Sequence, residues 1–148
     1  MDIKFSLALP RETLSIPVIR RVVGDTLRTL GATDDCVNDV LIAISEACTN
    51  VLDHAGPTDT YEVVAGIDGD FCILKVVDRG RGFDHVVSQE HSDAESGRGI
   101  QIMRALVDDL VLDSGPGEGT AVYLQKRLAW QDGSPLAGMA AERAPAAG

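Results

Sequence analysis

Glu46 and Asn50 stand four residues apart in a stretch whose apolar residues recur at helical spacing, so one turn of helix brings a carboxylate and a carboxamide onto one face. At about 100° per residue that face lies away from the Ile44 and Cys48 stripe. A carboxylate on a rigid helix can take a proton from a hydroxyl, and an amide oxygen beside it can ligate Mg²⁺; the same spacing also suits a solvated polar face. Further on, Cys72, Leu74, Val76 and Asp78 share one side of a period-two run, which sets a carboxylate at the core-facing end of a strand. A charge there is costly unless something hydrogen-bonds it, so Asp78 needs a backbone partner or a ligand donor. Gly80 and Gly82 follow, and they let the chain leave the strand through conformations that other residues avoid. Ser96-Gly97-Arg98-Gly99 precedes a third helical pattern, where free N–H groups and the helix dipole favour an anion and Arg98 adds a charge. Thr120, after the glycine-rich Gly115 to Gly119, carries a hydroxyl that could serve a buried polar partner and is equally an ordinary strand residue.

The elements that must position these groups are legible in the same pattern. Lys4 to Leu9 alternates as a strand and Pro10 ends it. Ser15 is expected to cap a helix that runs to Leu30 and is stopped by Gly31; Thr33 or Asp34 caps a second, of about 20 residues, ending near Gly56-Pro57. Tyr61 to Ile67 and Phe71 to Asp78 form a hairpin around Asp68-Gly69. Arg79 to Ser96 is long and aperiodic, as functional loops often are. A helix over Gly99 to Asp108 and strands over Asp109 to Ser114 and Thr120 to Leu128 complete the order β-α-α-β-β-loop-α-β-β. That order predicts an α+β two-layer sandwich, a mixed and mostly antiparallel sheet with helices on one face.

Composition bounds the function. With 148 residues, 45% of them hydrophobic, the chain suffices for one globular domain, expected over 1–130; the Ala/Gly/Pro-rich 131–148 is expected to be a disordered tail. A net charge of −10 disfavours nucleic-acid backbones and anionic membranes, and a polyphosphate ligand would need help from a cation. The apolar runs are far too short to span a bilayer, and Met1 to Phe5 has no secretory pattern, so a cytoplasmic protein is expected. Cys36, Cys48 and Cys72 read as buried thiols. His85 and His91 lie in the aperiodic loop with no zinc-type spacing, and His54 suits the end of the second helix. There is no Gly-x-Ser-x-Gly elbow and no Walker phosphate loop.

In order, Glu46-Ala-Cys-Thr-Asn50 with His54-Ala55, Val77-Asp78-Arg-Gly80-Arg-Gly82-Phe83-Asp84, Gly97-Arg-Gly99-Ile-Gln-Ile-Met103, and Gly119-Thr120 resemble the N, G1 and G2 boxes and closing threonine of the GHKL (Bergerat-fold) ATPase/kinase superfamily. Over about residues 4 to 128 the chain is most similar to its small bacterial anti-sigma-factor serine-protein kinases, the RsbW-like proteins. The resemblance implies ATP and Mg²⁺ as cofactors. Asp78 would accept from the adenine amino group, with Thr120 supporting it; Gly80 and Gly82 would admit the nucleotide; Asn50 would ligate Mg²⁺; Gly97, Arg98 and Gly99 would cradle phosphate; Glu46 would be the catalytic base; 83–96 would be a lid. It also implies an RNA polymerase sigma factor to be sequestered, a STAS-domain antagonist to be phosphorylated on serine, and a homodimer, with Arg20 and Arg21 on the first helix as candidate partner contacts. Asp84 to Glu95 holds no Lys or Arg, so a cation for the γ-phosphate would be Arg81 or Arg98. The alternative is a regulatory module that binds nucleotide without turnover.

Overall fold

The computed structural model describes residues 2–54, 60–78, 98–115 and 119–134. In chain order the elements are β1 (Ile3–Pro10), α1 (Ser15–Leu30), α2 (Asp34–His54), β2 (Thr60–Asp68), β3 (Phe71–Asp78), α3 (98–106), β4 (Asp109–Gly115) and β5 (Gly119–Arg127). The strands make one sheet in the order β1-β2-β3-β5-β4. All four pairings are antiparallel, in line with the mostly antiparallel sheet expected. β3 therefore lies at the centre, between β2 and β5, and its last residue, Asp78, is paired with Thr120 of β5.

The periodicity explains which face is covered. On α2, Val37, Val40, Ile44, Cys48 and Val51 are fully buried, and on the sheet so are Val63, Leu74, Val76 and Val122; Met103 brings α3 into the same core. α2 packs on α1, β3 and β5, so the helices lie over one face, as expected for a two-layer α+β fold. The other face leaves Ile73 and Val111 exposed. Among the described residues no helix is long and apolar enough to cross a membrane.

Two local expectations are corrected, the cap of α1 and the burial of Cys36. Ser15 is not the cap of α1: Leu14 precedes the helix without a side-chain capping bond, and Ser15 is buried, donating to the Glu12 carbonyl at 2.7 Å and sharing a 2.5 Å bond with the Tyr61 hydroxyl. A buried tyrosine hydroxyl needs a partner, and that need turns the serine inward. Thr33 does cap α2, accepting the Cys36 N–H at 3.4 Å.

Packing also continues past residue 130. Gln131 donates its N–H to the Gly31 carbonyl at 2.7 Å and Ser134 Oγ donates to the Leu30 carbonyl at 2.5 Å, so 131–134 clamp the α1–α2 turn. Gly31 itself has φ +92°, and a Cβ there would sit 2.5 Å from Ser134 Cβ, which only glycine avoids. Residues 135–148 lie outside the described residues. Of the three thiols, Cys48 and Cys72 are buried, and burial pushes both up to about 12, leaving them protonated at neutral pH. Cys36 is only half-buried, because its place near the start of α2 sets it against the chain end, where it accepts the Ala129 N–H at 3.2 Å.

Candidate functional site

Glu46, Thr49, Asn50 and Asp53 fall at steps of three, four and seven along α2, which aligns them in one stripe. The stripe faces the start of α3 across a cavity of about 300 Å³, whose other wall is Arg98, Gly99 and Ile102. The polar face of α2 is thus one wall of a cleft rather than a solvated surface. Asn50 is buried, Glu46 is half-buried, and Arg98 stands exposed at the rim as the cation of the lining set.

Gly99 sets the width of the cleft. It is buried, and a Cβ built on it would fall 2.9 Å from Glu46 Oε2, so the α3 backbone approaches the carboxylate to a distance that no larger residue allows without moving it. The cleft holds a proton acceptor, an amide oxygen, an exposed guanidinium and the first turn of a helix, which together suit a phosphate and the oxygen that attacks it. Among the described residues no group of three or more His, Cys, Asp and Glu gathers around a metal position. Mg²⁺ asks for no such cage; one protein oxygen plus phosphate oxygens and water suffice, and Asn50 is placed to supply that one.

The second half of the site is at the centre of the sheet. Asp78 has 0% exposure, as the period of β3 requires, and lies directly opposite Thr120 in the β3–β5 register. The Thr120 hydroxyl is buried, and among the described residues it has no hydrogen-bond partner. A buried orphan hydroxyl beside a buried carboxylate is an arrangement that a polar ligand satisfies and an apolar core does not, so the pair fits the amino edge of a nucleobase. The two halves are joined by Arg11: its Nε is 3.8 Å from Asp78 Oδ2 and its Nη2 donates to the Leu52 carbonyl at 2.6 Å, two residues past Asn50 on α2.

Of the residues expected from the sequence, the structure brings Glu46, Asn50, Arg98 and Gly99 together around one cleft and sets Asp78 against Thr120. Gly80, Gly82 and Gly97, the lid over 83–96, and His85 and His91 lie outside the described residues. Arg21 is 85% exposed and 3.8 Å from Asp25, whereas Arg20 is turned inward, its Nη1 donating to the Leu41 carbonyl at 3.0 Å and Ser45 Oγ at 2.6 Å. Its Nη1 is thus committed to α1–α2 packing. Thr49, Asp53 and Arg11 were missed; the first two share the helical step of Glu46 and could have been found from it.

A helical layer presenting a carboxylate, an amide and a helix start to one cleft, over an antiparallel sheet with a buried acid at its centre, is a GHKL-type ATPase fold. The chain belongs to the histidine kinase-like ATPase domain family, whose profile matches residues 9–126. It is 30% identical to the serine-protein kinase RsbW of Bacillus cereus (strain Q1), covering 90% of this chain and 92% of that one, and equally to the protein of the same name from Bacillus thuringiensis subsp. konkukian (strain 97-27). Among solved structures it superposes on the crystal structure of the RsbU and RsbW domains of Rv1364c from Mycobacterium tuberculosis with a TM-score of 0.67 at 24% identity, over 85% of this chain and 32% of that one. The histidine kinase domain of the Erythrobacter litoralis EL346 blue-light activated histidine kinase superposes with a TM-score of 0.53 at 19% identity, over 80% of this chain and 61% of that one. These two likenesses concern the fold.

Proposed function

We propose that this protein is an ATP-dependent serine kinase that also acts as an anti-sigma factor, and that the cleft between α2 and α3 is its phosphoryl-transfer site. The observation that carries this is the meeting of Glu46, Asn50, Arg98 and Gly99 in one cleft, joined through Arg11 to a buried acid, in a chain whose full-length relatives are named serine-protein kinases.

In this reading Asp78 accepts from the adenine amino group and Thr120 adds its unpartnered hydroxyl. Gly80 and Gly82 admit the nucleotide, and Gly97, Arg98 and Gly99 cradle the phosphates at the start of α3. Mg²⁺, held by the Asn50 amide oxygen, supplies charge neutralisation at the phosphates, which an acidic protein needs to bind a polyanion. Glu46 takes the proton of the attacking serine hydroxyl as its oxygen bonds to the γ-phosphorus and ADP leaves. The phosphorylated partner is a STAS-domain antagonist and the sequestered partner a sigma factor. The protein acts in the cytoplasm as a homodimer. α1 offers the sigma factor a surface on which Arg21 stands beside the exposed Leu14 and Val18.

The test is transfer of label from γ-labelled ATP to a serine of such an antagonist in the presence of Mg²⁺. Label on the antagonist is the expected result, and nucleotide binding without label under any condition would favour a regulatory module that does not turn over. Gly99→Ala displaces only the mobile end of Glu46, so its melting temperature is expected to stay within a few degrees while the transfer rate drops at least about 10-fold, as misplacing a reacting group does. Thr120→Val swaps the orphan hydroxyl for a methyl of similar shape. The expected outcome is a ligand-free protein about 1 kcal/mol more stable and a weaker complex with MgATP, opposite signs that calorimetry and titration read separately. Arg21→Ala should weaken sigma-factor binding about 5-fold or more with label transfer unchanged, because Arg21 lies on α1 and outside the cleft.

A further inference from the structure

Arg11 belongs to none of the ordered boxes. It follows Pro10 at the end of β1, yet its side chain is four-fifths buried and contacts both halves of the site: Nε lies 3.8 Å from Asp78 Oδ2, and Nη2 donates to the Leu52 carbonyl at 2.6 Å. A carboxylate with 0% exposure at the centre of a sheet requires a compensating charge, and Arg11 supplies it. A planar guanidinium spreads its charge over three nitrogens, so one of them can face a carboxylate at ion-pair distance while another is hydrogen-bonded to a backbone carbonyl. The carboxylate is the acid at the end of β3; the carbonyl belongs to Leu52 of α2, within one turn of both Asn50 and Asp53.

We propose that Arg11 is a positioning residue for nucleobase recognition: by bridging Asp78 and the end of α2, it sets the acid at the height over the cleft where it meets the 6-amino group of a purine. The inference rests on Asp78 being the base-recognising residue. A salt bridge that merely stabilised the fold would raise or lower affinity for all nucleotides together. A positioning role predicts instead a change in the discrimination between bases.

The experiment measures, with the full chain and Mg²⁺ present, the affinities for ATP and for purine riboside 5′-triphosphate, which lacks only the 6-amino group. Wild type, Arg11→Met and Arg11→Lys are compared. Lysine keeps a cation near Asp78 and loses the second arm, so it carries the test where methionine leaves too little folded protein. Wild type is expected to prefer ATP by about 10-fold or more, the value of a hydrogen bond to a charged acceptor, and the ratio is expected to fall to within about 3-fold in Arg11→Met and to an intermediate value in Arg11→Lys. A wild-type preference that survives undiminished in the folded variants overturns the role of Arg11 and leaves that of Asp78 standing. No preference in wild type overturns both.

Discussion

Glu46→Gln is expected to keep MgATP, with an affinity within about 3-fold of wild type, and to lower serine phosphorylation by about 10²- to 10⁴-fold, the span that a positioned general base contributes. The substitution preserves the shape and length of the side chain, so the close approach of Gly99 to its end is undisturbed and the cleft keeps its width. What disappears is the acceptor for the serine proton, since an amide does not take one up at neutral pH. Single-turnover transfer measured beside nucleotide titration separates the two effects. A variant that transferred phosphate at the wild-type rate would remove Glu46 from the chemistry, while one that lost nucleotide as well would make it a binding residue.

Asp78→Asn acts at the other end of the site and should show the reverse pattern. Replacing the carboxylate by an amide exchanges a charged acceptor for a weaker one and can turn an N–H donor toward the donor of the base; the expected loss is about 10- to 150-fold in MgATP affinity. It also removes the charge that faces Arg11 Nε at 3.8 Å in a largely buried setting, so the ligand-free variant should melt at a lower temperature than wild type. Affinity is therefore compared well below both melting transitions. An Asp78→Asn protein with wild-type affinity would place the base elsewhere.

The residues that proved legible in the sequence are those whose role follows from a local period. Asp78 is buried because strand side chains alternate, and the alternation of Cys72, Leu74 and Val76 already placed it inward. Glu46 and Asn50 share a face because helices repeat every 3.6 residues, although the period could not say whether that face met solvent or α3. That depended on where the chain returns after β3. The pairing of Asp78 with Thr120 depends on strand order, which here places β5 beside β3 and leaves β4 at the edge. Arg11 was invisible for a related reason: its partners are on β3 and α2, and nothing in the neighbouring residues marks a side chain that crosses between layers. Ser15 was misplaced by a rule that is sound locally: a serine at a helix start resembles a cap, until Tyr61 offers it a better bond.

That the cleft and the buried acid together form a site for MgATP is the proposal on which the kinase reading depends. It is tested most directly by the thermal unfolding of the wild-type chain with and without MgATP. At a concentration 100 times its Kd, a ligand that binds only the folded state stabilises it by about 2.7 kcal/mol, which for a chain of this size raises the melting temperature by about 5 to 10 °C. That rise is expected for MgATP, and at the same concentration it should shrink to about half or less in Asp78→Asn, whose affinity is about 10- to 150-fold weaker. A melting temperature unmoved by MgATP at millimolar concentration would contradict the proposal.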